Sequence, residues 1–116
     1  MSTATEEIQI HKGVLTFLGA PRKMLIGGRW VEALSEKTFP TYNQATGEVL
    51  AQVAEGNSAD VNRAVTAARN AFESGSWRRL TASERGRLIW KLADLLESHL
   101  EEFAQLESLD KGKPVG

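Results

Sequence analysis

The chain has 116 residues, of which 41% are hydrophobic and 25% charged, and its 14 basic and 15 acidic side chains leave a formal net charge of -1. These values fit one small globular domain, with no basic field to draw nucleic acid or an anionic membrane. There is no cysteine, which excludes disulfides, thiolate metal sites and thiol nucleophiles within these residues.

Residues 1–20 begin polar and turn apolar at Val14, Leu15, Phe17 and Leu18, as expected for an amino-terminal extension with one short helical stretch. The apolar run is too short for a signal core and follows Glu6 and Glu7 instead of a basic segment; no stretch reaches the roughly 18 residues of a membrane span. Cytosol is the compartment expected. Residues 21–116 form the body. Met24-Leu25-Ile26 and Arg29-Trp30-Val31 flank Gly27-Gly28, a glycine pair that allows positive φ and predicts a β-hairpin. Phe39-Pro40-Thr41-Tyr42 and Val49-Leu50-Ala51-Gln52-Val53 make a second strand pair joined through Asn43–Glu48, with Pro40 at a strand start or on an edge.

A helix is predicted over residues 58–74, capped by Asn57 or Ser58, with Asp60 in its first turn and Gly75 at its end. Val61, Ala64, Val65, Ala68 and Phe72 recur at helical spacing along it. A second helix starts at Thr81 with Glu84 as its capping-box partner. Leu88, Ile89, Leu92, Leu95, Leu96, Leu100, Phe103, Leu106 and Leu109 then form one stripe, until Gly112 and Pro114 stop the helix. Unbroken, that helix is about 45 Å long, which calls for a larger body to lie against. The fold class expected is α+β: a β-hairpin region followed by two amphipathic helices.

No local pattern carries chemistry on its own. Gly27-Gly28 lacks the strand–turn–helix context of a dinucleotide fingerprint and reads as a turn. Trp77-Arg78-Arg79 reads as an anchor between helices, and Glu97, Glu101 and Glu102 as a solvated face. His11 and His99 have no partner at metal-ligand spacing and read as structural or surface residues. No serine sits in a nucleophile elbow.

The order of blocks nevertheless resembles the amino-terminal portion of the aldehyde dehydrogenase superfamily. Leu106-Glu107-Ser108-Leu109-Asp110-Lys111-Gly112-Lys113-Pro114 is similar to that family's Leu-Glu-Thr-Leu-Asp-x-Gly-Lys-Pro block. Leu25-Ile26-Gly27-Gly28-Arg29-Trp30-Val31 resembles its opening strand motif. Asn43-Gln44-Ala45-Thr46-Gly47-Glu48 resembles its Asn-Pro-Ala-Thr-Gly-Glu turn, with Gln44 where proline is usual. Asp60–Phe72, Trp77-Arg78-Arg79, Ser83–Leu88 and Leu92–Glu97 follow in the expected order.

The resemblance implies an α/β parent of several hundred residues, a dimer or tetramer that oxidises an aldehyde to a carboxylic acid with NAD or NADP. Its cysteine nucleophile, glutamate base and cofactor loops correspond to nothing in this chain, so no catalytic or cofactor-binding residue carries over and the chain alone is expected to be inactive. One role carries over: a monovalent cation, K or Na, held by the backbone oxygens of Thr41 and Tyr42 and the carboxylate of Asp110. On this view the chain is a truncated aldehyde dehydrogenase whose intact leucine stripe makes isolated material sticky and marginally folded. The alternative is a non-catalytic module or pseudogene product that docks onto a full-length relative.

Overall fold

The computed structural model describes residues 9–112; residues 1–8 and 113–116 lie outside the described residues, and with them the expected helix stop at Pro114. Helix α1, Lys12–Leu18, realises the expected helical stretch: the His11 ring accepts a hydrogen bond from the Gly13 amide through Nδ1 at 2.9 Å, and Val14 is fully buried.

Strands β1, Met24–Ile26, and β2, Arg29–Val31, pair antiparallel with Leu25 opposite Trp30. Gly27 and Gly28 take φ of 61° and 76°, the two positive values that a two-residue turn matched to the strand twist requires. Strands β3, Thr38–Tyr42, and β4, Val49–Ala54, form a second antiparallel pair. Arg22 borders the far edge of β4, donating its amide to the Gln52 carbonyl and accepting from the Ala54 amide. Gln52 and Ala54 therefore turn their peptides away from β3. Pro40, opposite Gln52, falls at a non-hydrogen-bonded position where its missing N–H costs the ladder nothing.

Helix α2, Ser58–Ser74, is capped by Asn57 in a full capping box with Asp60. It ends at Gly75 as expected, but in extended backbone (φ −74°, ψ 161°) instead of a left-handed cap. Glycine is needed there for space, because a Cβ would run into the Ala71 carbonyl. A short helix not anticipated from sequence, α3, Ser76–Arg79, follows. Helix α4, Ala82–Ser98, starts on Thr81, whose hydroxyl accepts from the Glu84 amide at 3.2 Å and donates to the Glu84 carboxylate at 3.0 Å. The Glu84 side chain thus takes the hydroxyl and not the Thr81 amide, so the expected box is half formed.

The expected single long helix is broken. At His99 (φ −113°, ψ 20°) the chain leaves helical geometry, and α5 runs over Leu100–Lys111. Ser98 donates its hydroxyl to the Leu95 carbonyl at 2.8 Å, and the His99 amide is shared between the Leu95 and Leu96 carbonyls. Side-chain competition for a backbone acceptor is a recognised helix disruptor. The break brings α5 against α1, where buried Gln105 accepts from the His11 amide at 2.6 Å and reaches back to the Gln9 carbonyl. The architecture is an α+β assembly of two small hairpins and helices, and its interior is thin. Among the described residues Val14, Ala33 and Ala51 are the buried hydrophobic ones, and α4 buries none.

Candidate functional site

The break at His99 also sets the position of a cleft lined by α1, β3, β4 and α5. Helix α5 passes beside β3 and β4 and encloses with them and α1 a space of about 410 Å³. Phe17 and Leu18 of α1, Leu50 and Val53 of β4, and Phe103, Leu106 and Leu109 of α5 make its apolar wall. Arg22 closes one side, its guanidinium 4.4 Å from the centre of the Phe17 ring and its Nε donating to the Ala20 carbonyl.

Thr41 and Asp110, placed 69 residues apart in the chain, both line this cleft. Tyr42 does not; it pairs with Val49 beyond a register shift between Thr41 and Tyr42. Gly112, with φ of 74°, seals the end of α5 in left-handed geometry. A Cβ on it would stand 3.3 Å from the Gln44 Cβ. The turn whose usual proline is replaced by Gln44 therefore abuts the helix end that carries Asp110. Hard oxygen donors of this kind suit an alkali cation better than a transition metal. No group of three or more His, Cys, Asp or Glu residues among the described residues could hold a metal ion.

Two carboxylates have a perturbed setting. Asp60, 1% exposed, accepts from the Asn57 amide at 3.0 Å, the Leu34 amide at 3.0 Å and the Arg63 guanidinium at 2.7 Å. The Asn57 amide first, then the arginine and the Leu34 amide, hold its pKa below the ordinary value against the opposing effect of burial. Sequence placed Asp60 in a first turn; its link to Leu34 across 26 residues had no local signal. Glu102 takes a hydrogen bond with the His99 ring at 3.0 Å, which lowers its pKa. His99 thus has a carboxylate partner three residues on, contrary to the sequence reading, and the pair braces the start of α5.

Trp77-Arg78-Arg79 does a local job. Arg78 donates to the Glu73 carbonyl at 2.9 Å and Arg79 to the Ser74 carbonyl at 3.4 Å, so both arginines tie off the last carbonyls of α2. A pair of cations just after a helix-ending glycine was the available signal. Gly27-Gly28 is a hairpin turn, and the described residues offer no glycine-rich strand–turn–helix cradle for a dinucleotide.

Comparison with known proteins gives a consistent answer. The model of the aldehyde dehydrogenase family matches residues 30–116. The mitochondrial aldehyde dehydrogenase of Homo sapiens is 56% identical over 93 residues, covering 79% of this chain and 18% of that protein. Aldehyde dehydrogenase family 2 member B4, mitochondrial, of Arabidopsis thaliana is 53% identical over 113 residues, covering 97% of this chain and 20% of its own length. Among solved structures, a variant of the aldehyde dehydrogenase from Bacillus cereus superposes with a TM-score of 0.91 at 54% identity, covering 93% of this chain and 22% of that one. The NAD+ complex of the Bacillus cereus enzyme superposes at 0.86 and 53% identity, over 88% and 21%. The chain thus spans about a fifth of the length of the relatives it matches.

Proposed function

Since the chain belongs to the aldehyde dehydrogenase family, we propose that it is the amino-terminal portion of an NAD-linked aldehyde dehydrogenase that oxidises an aldehyde to a carboxylic acid, works as a dimer or tetramer in the cytosol, and is inert without the rest of the fold. The observation that carries this is the near-complete superposition on the Bacillus cereus enzyme, TM-score 0.91 over 93% of the chain. The Bacillus cereus aldehyde dehydrogenase is also seen with NAD+ bound, which supports NAD as hydride acceptor. The chemistry needs a nucleophile to attack the aldehyde carbon and a base to free the acid. This chain has no cysteine and no dinucleotide cradle among its described residues, so no catalytic step runs through it. Its contribution is scaffold: two hairpins and a helical arm joined by buried polar contacts.

A monovalent cation belongs to the same proposal. Thr41 and Asp110 lining one cleft supports it, with the Tyr42 carbonyl as the neighbouring donor. In a chimera where residues 1–116 replace the matching segment of a family relative, K+ should raise the thermal midpoint by a few degrees. Asp110→Ala should abolish that increment, and an equal K+ response in the variant would remove the cation from the account.

The same chimera tests the main reading. It should fold and reduce NAD when an aldehyde is supplied, at a rate within about tenfold of the parent relative, roughly 1.4 kcal/mol of barrier. A chimera that folds and assembles but shows no aldehyde-dependent NADH would contradict it.

A further inference from the structure

Helix α1 is seven residues long, too short to hold its shape in water on backbone bonding alone. It depends on what fastens its first turn. One tie is the Gln105 carboxamide of α5, which accepts from the His11 amide at 2.6 Å. Another is the fully buried Val14. The third is the His11 ring, whose Nδ1 accepts from the Gly13 amide at 2.9 Å. Asparagine, aspartate and serine are the usual side chains at such a cap, and none of them changes charge near neutral pH. Histidine makes this bond only as the neutral ring, because a protonated imidazole is a donor at both nitrogens. It is also the side chain whose charge changes between about pH 5 and 8.

The surroundings of the ring serve its charged form as well. Glu102 of α5 stands against the same turn: a Cβ on Gly13 would lie 2.6 Å from its Oε2 and 3.1 Å from the His11 Nδ1. The other carboxylate oxygen, Oε1, is 3.0 Å from the His99 Nδ1. Glu101, which accepts from Gln105 at 3.4 Å, and Lys12, next to His11 in the chain, are the further charged groups beside this turn. The His99 hydrogen bond holds the Glu102 pKa below the ordinary carboxylate value, with the charge of His11 acting in the same direction. Glu102 therefore stays ionised throughout the histidine range.

We propose that His11 is a proton-operated latch on α1: the neutral ring caps the helix, and the protonated ring gives up the Gly13 amide, turns its Nδ1–H to the Glu102 carboxylate and leaves the first turn unfastened. A bond that only the neutral ring can make is present on the alkaline side and is lost as the ring takes up its proton. Phe17 and Leu18 of α1 form one wall of the cleft that Thr41 and Asp110 line, so the latch sets how firmly that wall is held.

The test is hydrogen–deuterium exchange of the gene product from its own cells at about pH 7.5 and about pH 5.5, on either side of the histidine range. Each rate is divided by that of the same amide in an unstructured peptide at the same pH. The Gly13, Val14 and Leu15 amides should lose protection roughly fivefold at the lower pH, the effect of one lost cap. His11→Asn, which caps without titrating, should keep the higher protection at both values. His99→Gln should leave the pH-dependent loss in place, because the His99 ring bonds within α5. Constant protection in the unmodified protein, or a loss that survives His11→Asn, would overturn the proposal. A loss abolished by His99→Gln would overturn it too, by placing the proton on the other ring.

Discussion

Asp60 shows how much of this fold hangs on single polar residues. Its carboxylate joins the loop after β2 to the first turn of α2 through Leu34, Asn57 and Arg63. Because its folded pKa is depressed, its contribution is fully present above the unfolded value of about 3.9 and is lost as pH falls through the folded value. In the chimera, Asp60→Asn should lower the thermal midpoint at pH 7, and the gap between variant and parent should close as pH drops below about 4. A gap that persists undiminished in acid would mean the charge is irrelevant. Gly112 makes the second case, since its φ of 74° and its contact with Gln44 both resist a side chain. Gly112→Ala should cost about 1–2 kcal/mol, read as a lower unfolding midpoint in denaturant; a neutral result would show that the end of α5 relaxes freely. At this scale the sequence was partly legible. Asn57 and Gly75 announced the bounds of α2 by residue type, while the reach of Asp60 to Leu34 and of Gln105 to His11 depended on tertiary placement that no local pattern encodes.

Among elements, α2 and the α4–α5 arm contrast. Both read as amphipathic helices, and the hairpins read correctly because their turn glycines and alternating residues leave few other solutions. The leucine stripe hides the break at His99 because it continues through it in phase, from Leu95 and Leu96 to Phe103. Hydrophobic periodicity reports which side is apolar and is blind to a local loss of backbone hydrogen bonding. The clue was the Ser98-His99 pair, two weak helix formers in sequence. Helix α4 packs on little in this chain, so its amides should exchange faster than those of α2 and β4 in the isolated 116-residue protein, measured by hydrogen–deuterium exchange at neutral pH. Equal protection along α4 and α2 would show that α4 is stabilised in a way its exposed surface does not explain. The cleft follows from the same break: Thr41 and Asp110 line one space because α5 runs along it after the turn at His99, and family resemblance, not spacing, singles those two residues out.

The whole molecule is open, with a radius of gyration of 18.4 Å against about 13 Å for a compact chain of this length. Its buried hydrophobic residues, Val14, Ala33 and Ala51, are too few and too small to balance the conformational entropy of ordering the chain. Isolated protein should therefore show helical circular dichroism with a broad, weakly cooperative melt, and bind a hydrophobic dye; a sharp two-state melt of a monomer would contradict this. The fold superposes on about a fifth of a solved aldehyde dehydrogenase, and a large apolar surface stays exposed on it. The most direct test is the intact mass of the gene product purified from its own cells, together with its aldehyde-dependent reduction of NAD. The account predicts a mass several times 12.7 kDa, with NADH formed when an aldehyde is supplied. A free, stable 12.7 kDa monomer without NADH formation would contradict it.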